Sequence, residues 1–188
     1  LEIHNEKMVG FSLWQTFTEV TRLSLHGKSV GVLGYGLVGK GIARTARALG
    51  GVVSVYDPDA GRSTCALYEG FRCPGRAEVL KSEVVVTSTG VSGALKKEDL
   101  PLFTEGAFLL NAGHSEDEIQ EAIRDHSSRR KVLEHVEELS PEVGKPFFLL
   151  ARGRLLNLAA GFGDTINAFD VTSAILVETL ADLIAQDP

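Results

Sequence analysis

Cysteine is scarce: Cys65 and Cys73 are the only two, and their spacing builds neither a disulfide framework nor a metal site. Positive charge is in deficit as well. Nineteen Lys and Arg against 25 Asp and Glu give a net charge of −6, which argues against a general nucleic-acid surface but not against a local basic patch. No apolar run is long enough to cross a bilayer, and the opening residues lack the pattern of a secretion signal. No repeat, low-complexity tract or Pro/Gly/Ser-rich linker divides the chain. Together these absences point to a reduced, cytoplasmic protein with no metal, no membrane and no nucleic-acid partner. The first residue is Leu1 rather than methionine, so the expectation is a piece of a longer chain.

What is present suits one domain. The chain has 188 residues, 44% of them hydrophobic and 23% charged, enough to bury a sizeable core. "KSVGVLG", "GVVSVYD", "SEVVVTST", "GAFLLNAG" and "KPFFLLA" read as strands whose near-continuous apolar character suits a parallel sheet covered on both faces. Between them, "VGKGIARTARALG", "AGRSTCALYEG", "RAEVLK", "KKEDLPLF" and "EDEIQEAIRD" read as helices or helical turns. The alternation predicts an α/β fold with a doubly wound parallel sheet. Helical segments flank it at 1–27 and 165–188. The first contains "SLWQTFTEVTRLSL" with Ser12 as a plausible N-cap. The second carries an apolar stripe through Phe169, Ile175, Leu176, Leu180 and Leu183. That stripe suits the sheet or a neighbouring protomer, and core packing is the commoner use.

One turn carries chemistry. After the first strand come Gly34, Gly36 and Gly39, then a helix, a second strand and Asp57. Gly34 permits the tight turn, Gly36 lets backbone approach a pyrophosphate, and Gly39 lets helix and strand pack closely. Leu37, Val38, Lys40 and Gly41 open the helix, whose N-terminus offers free N–H groups to phosphates. Asp57 is placed to accept hydrogen bonds from ribose hydroxyls, which favours NAD over NADP, with Arg62 close enough to blur that preference. The bland alternative is a glycine-rich turn with an unrelated aspartate.

The first half resembles the cofactor domain of D-2-hydroxyacid dehydrogenases. The second half is more selective. Thr87-Ser88-Thr89-Gly90, Asn111-Ala112-Gly113-His114 and Gly153-Arg154-Leu155-Leu156-Asn157-Leu158 resemble, in order, three motifs of the NAD-binding domain of S-adenosylhomocysteine hydrolase (adenosylhomocysteinase). The resemblance implies a Rossmann-type NAD domain over residues 1–188. Thr89, Gly90, Ala112 and Gly113 would lie at the nicotinamide, Asn157 would hold its carboxamide, and His114 would be the catalytic residue facing the substrate ribose. Plainer readings remain: His114 as a polar residue before an N-cap Ser115, and Asn157 as an amide satisfying a loop. An ungapped count back from Gly27-Lys28 puts the family's asparagine on Asn5.

In that family NAD oxidises the 3′-hydroxyl of a nucleoside thioether, the neighbouring C–H is acidified, homocysteine leaves, water adds and the hydride returns. The resemblance therefore implies a hydrolase whose cofactor is regenerated at each turnover. It also implies a substrate domain and a homo-oligomer in the full protein, with this chain alone inactive.

Three departures stand out. The family's ribose-binding glutamate, two residues away from the Asp-Pro, is missing, so Asp57 serves alone. His4 takes the place of an aspartate, and Asp164 takes the place of a cofactor-side histidine, which suggests a carboxylate facing the nicotinium ring and an altered substrate. Two rivals stay open: a D-2-hydroxyacid dehydrogenase-like oxidoreductase, disfavoured because no histidine follows His135, and a non-catalytic NAD-sensing module.

Overall fold

A computed structural model describes residues 2–124 and 128–186. Two helices come first, α1 (Glu2–Lys7) and α2 (Val9–Thr21). They are followed by β1 (Ser29–Leu33), α3 (Leu37–Ala48), β2 (Val52–Tyr56), α4 (Ala60–Tyr68), α5 (Arg76–Val79) and β3 (Val84–Thr87). A 3₁₀ turn at Lys97–Leu102 leads to β4 (Phe108–Asn111), a second at Glu116–Glu118 to α6 (Glu121–Arg124). The chain closes with β5 (Arg129–Leu133), β6 (Val136–Leu139), β7 (Phe147–Leu150), a 3₁₀ turn at Ala151–Gly153, α7 (Leu156–Ala159) and α8 (Ile166–Gln186).

The sheet runs β2-β1-β3-β4-β7-β6-β5. The first five strands of that order are parallel, giving the doubly wound order expected from the alternation of elements. Alternate side chains feed opposite faces, as the strand period requires. Val84 and Val86 join Trp14, Phe17 and Ile42 on one side, while Val85 joins Leu80, Leu109 and Leu149 on the other. The chain leaves β1 toward β2, then returns to set β3 on the other side of β1. That reversal opens a crevice at the carboxyl ends of β1 and β3.

Two sequence expectations are corrected and two are extended. Ser12 is not an N-cap, because α2 starts at Val9 and its cap residue is Met8; Ser12 lies inside the helix and is 3% exposed. "EDEIQEAIRD", read as a helix or helical turn, is a short 3₁₀ turn followed by a four-residue helix, its Asp125 lying outside the described residues. Beyond the five expected parallel strands the sheet continues into an antiparallel hairpin, β5–β6. β5 is charged and largely exposed, while β6 is mostly buried but carries Glu137 and Glu138, which pair with Arg129 and Arg130, so neither strand shows the apolar run by which the others are read. Finally, the stripe on α8 does not pack on the sheet: Phe169, Ile175, Leu176, Leu180 and Leu183 are all at least half-exposed.

Close backbone approach fixes the first two helices. A Cβ on Gly10 would sit 2.4 Å from the Gly41 carbonyl oxygen, and one on Gly41 would sit 2.1 Å from that of Glu6. Gly41, expected at the cofactor, is thus spent on seating α1 and α2 against α3.

Candidate functional site

The glycine turn has the shape its sequence predicts. Gly34 takes φ +95°, and a Cβ there would lie 2.6 Å from the Ser88 carbonyl oxygen, so β1 and β3 ends touch. A Cβ on Gly39 would fall 2.0 Å from Gly34 O. Gly36 is different: a Cβ there meets nothing within 4 Å, so the fold itself leaves that position open. Gly36 is also the N-cap of α3 and supplies no side-chain cap, and no acidic residue fills the first turn. The N–H groups and positive end of a twelve-residue helix are left for an anion.

Behind the turn sits a charged brace. Arg44 on α3 pairs with Glu6 and with Glu69, and Tyr35 donates its O–H to Glu69 at 2.9 Å. The Arg44 guanidinium holds the Glu69 carboxyl below its usual range against the opposing effect of burial. Burial, with Glu69 beside it, pushes the Tyr35 phenol up. Lys40 lies over the Tyr35 ring at 5.9 Å, while Leu37 is exposed and Val38 packs on the core.

An open cleft of about 490 Å³ runs from this turn across the sheet ends, lined by Gly34, Asp57, Arg62, Thr89 and Lys96 among others. The Asp57 side chain is 3% exposed. Its oxygens accept from the Tyr35 N–H at 2.7 Å and the Asp59 N–H at 2.9 Å, so it also shapes the glycine turn. Arg62 stands 3.7 Å from it. Val55, two residues earlier, is a buried strand residue. A larger cleft, about 580 Å³, lies by the β5–β6 hairpin and includes Arg124, Arg152 and Arg154; none of the expected cofactor residues lines it.

Two buried polar residues that the sequence reading did not place among the site residues organise the rest. Asn111, fully buried at the end of β4, accepts from Gly113 N–H at 2.8 Å and from the Thr87 hydroxyl at 3.1 Å. Its amide donates to Ser115 O at 2.8 Å and Gly153 O at 3.1 Å. It therefore ties three predicted motifs together. Glu118, also fully buried, accepts from the Thr89 N–H and hydroxyl at 2.9 and 3.0 Å and from Gly90 N–H at 2.6 Å. Gly113 makes room for it: a Cβ there would lie 1.5 Å from a Glu118 oxygen. The Asn-x-Gly spacing was the signal for Asn111; Glu118 was hidden in a stretch that reads as a helix surface.

The remaining predicted residues divide. Thr89, Gly90, Ala112 and Gly113 sit at neighbouring strand ends, and His114 is exposed just beyond them, before Ser115, whose hydroxyl caps the following turn. Asn157 is 4% exposed on α7; its amide donates to Ser12 Oγ at 3.2 Å, but its Oδ1 is buried without a partner. Asn5 is half-buried on α1. Asp164 does not face an open cofactor space with a free carboxylate: His4 lies 2.5 Å from one oxygen and Ser12 donates to the other at 2.8 Å.

Residues 8–163 match the family model described as S-adenosyl-L-homocysteine hydrolase, NAD binding domain. The chain belongs to this family. Adenosylhomocysteinase of Thermotoga maritima is 36% identical over 92% of this chain and 44% of its own length. S-inosyl-L-homocysteine hydrolase of Methanopyrus kandleri is 35% identical over 94% of this chain and 43% of its own. The chain thus spans less than half the length of these curated relatives. Among solved structures, a dipicolinate synthase component from Bacillus halodurans superposes with a TM-score of 0.57 at 19% identity, over 63% of this chain and 42% of that one; it shares the fold. The cofactor of this family's domain is NAD, and the residues present fit it. The bare Gly36, the uncapped start of α3 and the orphaned Asn157 oxygen are what a dinucleotide's phosphates and carboxamide require. No helix among the described residues is long and apolar enough to cross a membrane.

Proposed function

We propose that this chain is the cofactor domain of an adenosylhomocysteinase-like enzyme that cleaves the thioether of an S-nucleosyl-homocysteine, with a substrate domain supplied elsewhere in the protein. The observation that carries the reading is Asn157: a buried amide with an unpartnered oxygen, in the segment whose family counterpart holds the carboxamide. NAD, when bound, supplies a reversible hydride acceptor for the substrate ribose. The chain's own residues hold and orient it. Gly34, Gly36, Gly39 and the start of α3 take the pyrophosphate. Asp57 meets the adenosine ribose, and Thr89, Gly90, Ala112 and Gly113 wall the nicotinamide. His114 faces the substrate ribose, where an imidazole is suited to move a proton near neutral pH. The chain by itself is inactive, and the complete enzyme is a cytoplasmic homo-oligomer.

The test is the complete gene product incubated with S-adenosylhomocysteine and trace NAD, followed for free thiol and for absorbance at about 340 nm. Thiol released well beyond the NAD present, without accumulated NADH, is expected. NADH without thiol would replace this reading with a net dehydrogenase. The inosyl thioether belongs in the same assay, because relatives named for each substrate match at 36% and 35% identity.

A further inference from the structure

His4 and Asp164 each depart from the family pattern, and in the sequence each reads as a separate loss. The structure puts them in contact across 160 positions of sequence: His4 Nε2 lies 2.5 Å from Asp164 Oδ2, with side chains 13% and 11% exposed. The pattern has aspartate where His4 stands and histidine where Asp164 stands. We propose that the two departures are one reciprocal exchange, and that the exchanged pair is a positioning device that aims Asn157 at the nicotinamide carboxamide. The proposal rests on the NAD-binding reading above.

Proton directions carry the argument. Asp164, as a carboxylate, only accepts hydrogen bonds. The Ser12 hydroxyl, 2.8 Å from Asp164 Oδ1, must therefore donate toward it. Its other neighbour, the Val9 carbonyl at 3.2 Å, is also only an acceptor, so the direction is unchanged. Ser12 Oγ has a single proton and is left as acceptor toward Asn157 at 3.2 Å. The Asn157 amide must then turn its NH₂ to Ser12. Because an amide is planar, its Oδ1 is fixed on the other side, where it is buried and has no partner. An aimed, unpaired carbonyl oxygen is what the N–H of a carboxamide would meet.

The same logic explains why the ends can trade places. A neutral imidazole has one donor and one acceptor nitrogen. Here His4 meets Asp164 through Nε2 and the Thr172 hydroxyl, at 3.2 Å, through Nδ1. With histidine at 164 and aspartate at 4, one nitrogen donates to the aspartate and the other accepts from Ser12, so Ser12 still donates and Asn157 keeps its direction. Both outer partners, Ser12 and Thr172, are hydroxyls that rotate to suit either group. A single exchange breaks the device: His4→Asp sets two carboxylates against each other, so they part or share a proton, and Asp164 is no longer held as an obligate acceptor for Ser12.

The test is calorimetric binding of NAD and of ADP-ribose, which lacks the nicotinamide, to the 188-residue chain, to His4→Asp, to His4→Asp/Asp164→His and to Ser12→Ala. For His4→Asp we expect NAD affinity to fall about tenfold, the worth of one hydrogen bond at a buried amide, with ADP-ribose affected less than about twofold. The double variant should return to within about threefold of the parent. Equal loss for both ligands, or a double variant no better than His4→Asp, would overturn the proposal. Should His4→Asp not fold, Ser12→Ala decides alone: loss confined to NAD supports the relay, and loss shared with ADP-ribose, or none, sinks it. A parent chain that binds neither ligand would bring down the NAD reading and the relay with it; a parent that binds both, with unselective losses, would remove the relay only.

Discussion

Two apolar helices lie toward the ends of this chain and meet opposite fates. In α2, Leu13, Trp14 and Phe17 are fully buried, the Trp14 N–H donates to Ile42 O at 2.9 Å, and the Phe17 ring meets Phe108 edge-on. In α8, nine large apolar side chains are between 50% and 81% exposed, and contacts come from its first turns, where Phe169 and Thr172 meet His4. Apolar content does not separate the two. What does is backbone access. Gly10 lets α2 approach α3 at Gly41 to a distance no side chain would permit, whereas α8 carries no glycine. A hydrophobic stripe marks a face suited to burial; small residues state what can come close.

The comparison can be broken at three places. The largest effect is expected at Trp14→Ala, which removes a fully buried indole and should cost about 3–5 kcal/mol in urea unfolding; a loss below about 1 kcal/mol would show that α2 is not anchored as described. A middle effect concerns acid. Glu69, tied to Arg44 behind the glycine turn, has its carboxyl held below the ordinary range. A depressed folded value stabilises fully above the unfolded carboxylate pKa, about 4.3, and that share is lost as pH falls through the folded value. Glu69→Gln should therefore flatten the loss of melting temperature between about pH 6 and about pH 3.5; a slope equal to the parent's would remove Glu69 from the acid limb. The smallest effect is expected at Leu180→Ser on α8, within about 0.5 kcal/mol of the parent chain. A loss above about 2 kcal/mol there would mean that α8 is packed in solution.

Much of the fold was legible because five strands read as short apolar runs rich in Val, Leu and Phe, four of them largely buried inside the sheet and β2 at its edge. The β5–β6 hairpin was not, since an edge hairpin with Arg129, Arg130 and Lys131 on one strand has no such run. At the candidate site, the turn at Gly34 and Gly39 was legible because neither position has room for a side chain. Glu118 and Ser12 were not: their roles depend on neighbours 28 to 152 positions away, and a single sequence carries no distances. For the same reason His4 and Asp164 looked like two defects rather than one pair.

The Gly113–Glu118 contact has a consequence for how this protein can change over generations. A methyl group on residue 113 would land 1.5 Å from the Glu118 carboxylate oxygen, so altering Gly113 forces the Glu118 side chain away from Thr89 and Gly90. Replacing Glu118 first leaves the Thr89 and Gly90 N–H groups without their acceptor. Every one-step route away from the present pair begins with lost hydrogen bonds at the ends of β3 and β4, so change at these two positions is easier when both move together.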